Sequence, residues 1–479
     1  MIASQPLWTP SSAVVQSAPM TRFMREAEKS GAGPLSGFED LHRWSIDHRD
    51  EFWNLVWDFG GITGEKGPRV LVDGDRMPGA SFFPDAKLNF AENLLKKRGA
   101  GDAIVFKGED RVSRRMSWDE LRALVSRLQQ AFATAGVKPG DRVAAMMPNM
   151  PETVACMLAA ASLGAIWSSC SPDFGEQGVL DRFGQIEPVV FIAPDAYWYN
   201  GKPNDVTAKV KAVLHKLPTV RKAILIDYLG GAEKAAADIP NVETLEATIA
   251  PFAAREPDFV RLPFSHPLYI LFSSGTTGIP KCIVHSAGGT LIQHVKEHRL
   301  HAGIEAGDRV FYFTTCGWMM WNWLVSALAS NATLLLYDGS PFHPDGNVLF
   351  DFAQAEKMTY FGTSAKFIDA LRKASLSPKD THDLSTVRVI SSTGSPLSPE
   401  GFAYVYEAIK PDVHLASISG GTDIVSCFVL GVPLKPVWIG EIQGAGLGMA
   451  VDVWDDDGKH VVGEKGELVC TRAFPSMPV

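Results

Sequence analysis

Apolar and polar positions along this chain follow two periods. Short apolar runs at 141–147, 165–169, 188–193, 222–227, 269–272 and 310–314 predict buried strands. Between several of them the apolar residues recur at helical spacing. Ser117-Trp-Asp-Glu120 forms a capping box ahead of a stripe made by Leu121, Leu124, Leu128 and Phe132, which runs out at Gly136. Pro151 suits the first turn of a helix ending near Gly164. Nearer the N-terminus, Asp47 predicts the cap of a helix with Phe52, Trp53, Val56 and Trp57 on one face. A second helix is expected over 89–97, and the lysine-bearing stretch 202–216 reads as a solvated helix. After Pro436 the text changes: alternating runs at 450–454 and 466–470, separated by turn chemistry at Asp457-Gly458 and 464–466, predict antiparallel hairpins. The alternation of strands and helices predicts an α/β fold of helix-covered, mostly parallel sheets.

Length and charge narrow the classes. At 479 residues the chain exceeds the roughly 250–300 residues at which single cores stop growing. The expected division is an aromatic-rich N-terminal extension packed on the core (1–100), an α/β core (101–437) and the start of a β-barrel subdomain (438–479). A strand run that closes on Phe474-Pro-Ser-Met-Pro-Val, with nothing to cap it, leads us to expect a truncated polypeptide. A net charge of −9 and a pI near 5.8 lack the basic footprint of a nucleic-acid binder. The apolar run 154–167 is broken by Ser162 and Gly164 and is too short for a membrane span, so no integral membrane association is expected. Six cysteines without a C-x-x-C pair suit buried free thiols in a reducing compartment, and with no signal peptide at the N-terminus the expected location is cytoplasmic.

The segment richest in chemistry is 269–281, YILFSSGTTGIPK. A buried strand gives way to Ser273, Ser274, Gly275, Thr276, Thr277 and Gly278, followed by Pro280 and Lys281. Hydroxyls, successive backbone N–H groups and permissive glycines at a strand's end suit the oxygens of a polyphosphate. The segment does not match the G-x-x-x-x-G-K-[ST] loop, and read alone it is equally an ordinary polar turn. Four more segments follow: Cys316-Gly-Trp-Met-Met320, Ser392-Thr-Gly-Ser-Pro396, Ser419-Gly-Gly-Thr-Asp423 and Gly466-Glu-Leu-Val469. Singly, each has a plain structural reading. Met319, Met320, Trp321 and Trp323 read as core, Thr422-Asp423 as a helix cap, Gly466-Glu467 as hairpin chemistry, and His285 and Cys282 as structural residues.

In this order, however, the segments resemble the adenylate-forming superfamily and, within it, the short-chain acyl-CoA synthetases. Residues 44–60 and 83–95 (FPDAKLNFAENLL) look like the N-terminal region shared by the acetate and acetoacetate enzymes of that group. The resemblance implies small-molecule substrates: an acid, expected to be acetoacetate, ATP with Mg²⁺, and CoA as co-substrate. An ionised carboxylate needs no general base to attack the α-phosphate, so the site must supply charge neutralisation and positioning. By resemblance, Ser273–Gly278 and Lys281 hold the β- and γ-phosphates, and Thr422 bonds the α-phosphate. Asp423, in place of the family's usual Glu, is the Mg²⁺-facing carboxylate. Gly394, Ser395 and Pro396 line the adenine where relatives often have Gly-Glu-Pro, and Ser417 stands where the acetate enzyme has an Asp. Trp318, Met319 and Met320 form the acyl wall. Gly420 replaces an indole that closes the pocket of acetate-specific relatives, which implies room for a longer acid. Thr393 is expected to donate its hydroxyl proton to the 3-keto oxygen. The family's ribose-gripping Gly-Asp segment and its small lysine-bearing C-terminal domain are not in these residues, which implies weak adenylation by this chain alone. Two alternatives stay open: a ligase for butyrate or a branched C4–C5 acid, and a catalytically silent nucleotide-binding fragment.

Overall fold

The computed structural model describes residues 5–273 and 278–479. Among them, two seven-stranded sheets carry the fold. The first runs in the order Val242–Thr244, Lys222–Ile226, Val190–Pro194, Arg142–Met146, Ile166–Cys170, Pro267–Ser273, Lys281–Ser286. The second runs His414–Ser417, Val389–Thr393, Tyr360–Ser364, Arg309–Tyr312, Thr333–Asp338, Asp102–Gly108, Val112–Ser117. Each sheet is parallel except for one antiparallel hairpin at an edge. That matches the sequence pattern. Ile166–Cys170 and Val190–Pro194 are buried along their whole length, as strands covered on both faces must be.

The helix Pro151–Ser162 is buried at every position, which its small and apolar sequence allows. The capping box opens Trp118–Thr134 as expected: Ser117 N donates to Glu120 Oε2 at 2.7 Å, and Glu120 N to Ser117 Oγ at 3.2 Å. All six thiols are unpaired, and Cys156, Cys170, Cys316 and Cys427 are buried as expected; against expectation Cys282, on an edge strand, is exposed and Cys470 is half-buried. Among the described residues no helix is long and apolar enough to cross a membrane. Toward the C-terminus Ser419–Gly421, Ser426–Leu430 and Gly444–Ala445 form an antiparallel sheet, and Val451–Trp454 pairs with Glu467–Cys470 as the hairpin pattern predicts.

Three local expectations need correction. Asp47 caps nothing; it is the last residue of the helix Phe38–Asp47, and Arg49–Phe59 starts after the single residue His48. Its carboxylate instead accepts from Arg472 Nη1 at 3.1 Å, while the predicted face of Phe52, Trp53, Val56 and Trp57 is buried as expected. The 89–97 helix shrinks to Phe90–Leu94, with Asn89 as its cap (Glu92 N to Asn89 Oδ1, 3.2 Å). Within 202–216, Lys202–Asp205 is a strand paired with Ala196–Tyr199, and the helix covers Thr207–His215. The cause is Asn200-Gly201, a two-residue turn with φ of +53° and +72°, whose amides donate to the Glu109 carboxylate at 2.6 and 2.8 Å.

Candidate active site

Eight elements frame the site, in chain order: β1 (Pro267–Ser273), β2 (Lys281–Ser286), α1 (Ala287–Lys296), α2 (Met319–Ser326), β3 (Val389–Thr393), β4 (His414–Ser417), β5 (Ser419–Gly421) and β6 (Ser426–Leu430). Parallel β3 and β4 lie in register, Ser392 opposite Ser417, and a cavity of about 440 Å³ opens beyond their C-terminal ends. A crevice there is where open parallel sheets hold ligands. Three of the motif segments meet in it. Thr393, Gly394, Ser395 and Pro396 come from the end of β3, Ser417, Gly420 and Thr422 from β4 and the β5–β6 hairpin, and Trp318, Met319 and Met320 from the start of α2.

Local chemistry explains these placements. Gly394 has φ +87°, and a Cβ there would meet nothing within 4 Å, so the demand for glycine is conformational. The turn before α2 is pinned from the first sheet: Ser169 Oγ donates to the Cys316 carbonyl at 2.8 Å. Trp318 stands at the mouth of the cavity, 68 % exposed, while Met320 is buried. Trp321 and Trp323 keep their plain reading as core; their indole N–H groups donate to Asn149 Oδ1 at 3.0 Å and Glu297 Oε2 at 2.9 Å.

Two expectations about the acyl end change. Thr393 Oγ1 donates to the Ile418 carbonyl at 2.9 Å, so its proton is committed to backbone and is not offered to a keto oxygen. Gly420 borders the cavity, but a Cβ built on it points away from open space. It would lie 2.0 Å from the Ser426 carbonyl oxygen and 2.6 Å from Cys427 Cα. Glycine is required there because β5 and β6 approach closely at a bulge between Ser419 and Gly420. An indole could not be added on this backbone.

Thr422 and Asp423 lie in the turn between β5 and β6, not at a helix terminus. Val425, at φ +49°, closes that turn in a conformation a β-branched residue rarely adopts. Two buried histidines hold it: His285 Nε2 donates to the Thr422 carbonyl and His294 Nε2 lies on the Val425 carbonyl, each at 2.7 Å. Burial pushes the His285 imidazole down to about 4, and that of His294 also below its ordinary value, so both are neutral donors at pH 7. His285 is therefore structural, as read from the sequence, and its task is to fix Thr422. Asp423, next in the chain to the cavity-lining Thr422, is exposed, and its Oδ1 lies 2.1 Å from where a Cβ on Gly421 would sit. A side chain at 421 would displace that carboxylate.

Of the expected phosphate loop, Ser274, Gly275, Thr276 and Thr277 lie outside the described residues. Its two ends are defined. Ser273 pairs directly with Lys281 across the β1–β2 hairpin, Lys281 is exposed, and Gly278 has φ +95°. Four residues along β2, roughly 13 Å of strand, separate Lys281 from His285 and so from the Thr422 turn. Sequence reasoning missed Ile418, Gly421 and Cys427, which also line the cavity. Cys427 faces Gly420 in the hairpin register, a relation that Ser-Gly-Gly-Thr-Asp hints at only once the hairpin is recognised.

Residues 93–475 match the family model described as AMP-binding enzyme, and residues 38–94 the one described as acetyl-coenzyme A synthetase N-terminus. The chain is similar to the acetoacetyl-coenzyme A synthetase of Rhizobium meliloti (strain 1021), 65% identical over 481 residues that cover 100% of this chain and 73% of the relative. It is 45% identical over 487 residues to the acetoacetyl-CoA synthetase of Gallus gallus, covering 100% and 73%. The solved acetoacetyl-CoA synthetase from Streptomyces lividans matches with a TM-score of 0.94 at 42% identity, covering 99% of this chain and 73% of that one.

Proposed function

The chain belongs to the family of AMP-binding enzymes, and from that premise we propose that it joins acetoacetate to CoA through an acyl-adenylate. ATP and CoA are the substrates the family implies, and the reaction is that of an AMP-forming acid–thiol ligase. The observation that carries the acid's identity is likeness to acetoacetyl-CoA synthetases over the whole chain, joined to a cavity in which three of the family's segments converge.

The chemistry runs in two displacements. A carboxylate oxygen of the acid attacks the α-phosphorus, the bond to the β-phosphate oxygen breaks, and pyrophosphate leaves. The CoA sulfur then attacks the acyl carbon, the thiol gives up its proton, and AMP departs. No general base is needed in the first step, because the acid is ionised at neutral pH. Thr422 donates to the α-phosphate from a turn held by His285 and His294. Lys281 and the Ser273–Gly278 loop neutralise the departing pyrophosphate. Gly394, Ser395, Pro396 and Ser417 seat the adenine, and Trp318, Met319 and Met320 flank the acid. Asp423 fits a Mg²⁺ ligand: its carboxylate is exposed, it is in no ion pair with a described residue, and Gly421 keeps its place clear. When bound, Mg²⁺ supplies charge neutralisation on the phosphate oxygens.

One observation favours a second reading, a ligase for butyrate or a branched C4–C5 acid. With Thr393 committed to Ile418, the keto oxygen loses its expected donor. A panel of short acids, scored by acid-dependent AMP formation in the presence of ATP and CoA, separates the two. A kcat/KM for acetoacetate about tenfold or more above that for butyrate supports the first reading, as expected where a polar group is specifically matched. Equal values support the second. No acid-dependent AMP, together with no binding of an acyl-adenylate analogue, overturns both.

A further inference from the structure

The cavity is bordered on one side by Ile418 and Cys427. Behind it lies a buried void of about 20 Å³, bordered by Glu297, His301, Trp323 and Tyr360 among others. The cavity and the void share Ile418 and Cys427, so these two residues stand between them. Both are nearly inaccessible, at 8 % and 2 % exposure. They also belong to the acyl end: Cys427 is the register partner of Gly420, and the Ile418 carbonyl receives the Thr393 hydroxyl.

The partition is held from both sides. Ile418 N donates to the Ser392 carbonyl at 2.9 Å, which ties it to β3. Cys427 N donates to Glu297 Oε1 at 3.0 Å. That buried carboxylate also receives the Ser426 hydroxyl and Trp323 Nε1, with the Lys296 ammonium 3.6 Å away. An acyl chain that outgrew the cavity would have to displace a fixed wall. Beyond the wall its apolar end would lie against the buried Glu297 carboxyl group and the donors bonded to it, an arrangement that costs free energy.

We propose that Ile418 and Cys427 set the longest acid this site accepts, the limit having passed from residue 420, which cannot carry a side chain, to the residue facing it across the hairpin. The inference rests on the ligase reading given above. Shortening Cys427 joins the cavity to the void and moves the limit outward.

The test uses non-hydrolysable acyl-sulfamoyl adenosines with unbranched C2, C4, C6 and C8 acyl groups, titrated calorimetrically against the full chain. The wild type binds C4 at least about tenfold more tightly than C6, the penalty expected when added methylenes meet a closed wall. Cys427→Ala narrows the C4:C6 ratio by about threefold or more, and Ile418→Ala does the same from the other side of the partition. Circular dichroism establishes that each variant is folded, and Ile418→Val stands in, with a smaller shift in the same direction, if either alanine variant is not. Folded variants that keep the wild-type C4:C6 ratio overturn the proposal, as does a wild type that binds C4 and C8 alike. If no analogue of any length binds the wild type, the ligase reading itself falls and takes the partition with it.

Discussion

Replacing Gly420 by alanine separates the sequence argument from the structural one. On the sequence argument Gly420 is an emptied position, and one methyl group should be harmless. In the structure that methyl lands 2.0 Å from the Ser426 carbonyl oxygen, 2.6 Å from Cys427 Cα and 2.8 Å from the Ser426 carbonyl carbon, where ordinary contact begins at 3.4 Å. All three obstacles are backbone atoms and cannot swing aside. Relief requires β5 and β6 to part by roughly 1 Å, and overpacking of that kind costs about 1–3 kcal/mol. The parting also strains the bond from Cys427 N to the Glu297 carboxylate, and a hydrogen bond to a charged group contributes about 1.5–3 kcal/mol. The sum, about 2.5–6 kcal/mol, is a large share of the roughly 5–15 kcal/mol that usually holds a native fold. We expect Gly420→Ala to lower both the thermal and the urea midpoint measured by circular dichroism, and to abolish binding of acyl-adenylate analogues. Gly420→Trp should lose binding too, rather than become selective for acetate. A Gly420→Ala chain that melts with the wild type and binds normally would refute the reasoning.

Other consequences are open to measurement. His285 and His414 are both held down to about 4 by burial, against an ordinary 6.5, so below pH 6.5 the unfolded chain takes up protons that the folded one refuses. Stability should therefore fall as pH drops from about 6.5 to 4 and level off below, by about 3 kcal/mol for each ring; urea midpoints that stay flat across that window would contradict it. Thr393→Val leaves the Ile418 carbonyl without its donor, which should cost about 1–2 kcal/mol of stability and weaken acetoacetate and butyrate alike. A selective loss for acetoacetate in a Michaelis–Menten comparison would restore the keto-donor role. Asp423→Asn should raise the Mg²⁺ concentration needed for half-maximal AMP formation by about tenfold while leaving the melting temperature unchanged, and an unaltered Mg²⁺ titration would remove Asp423 from that role.

What the sequence determined by itself is local. The capping box at Ser117, the proline opening Pro151–Ser162 and the continuous apolar strands all follow from residues adjacent in the chain, whose geometry their neighbours dictate. The pairing of Ser273 with Lys281 is not in that reading; it comes from the return strand Lys281–Ser286. The Asn200-Gly201 turn was equally legible, and the helix read across 202–216 ignored it. The segments that line the cavity carry their chemistry in runs of a few residues, which is why they could be picked out singly. How those residues are used depends on long-range packing. His285 reaches Thr422 across 137 positions, Cys427 meets Glu297 across 130, and Thr393 gives its proton to Ile418 across 25. A donor's partner and a glycine's clearance depend on which distant backbone packs beside them, and no periodicity or motif along the chain encodes that distance.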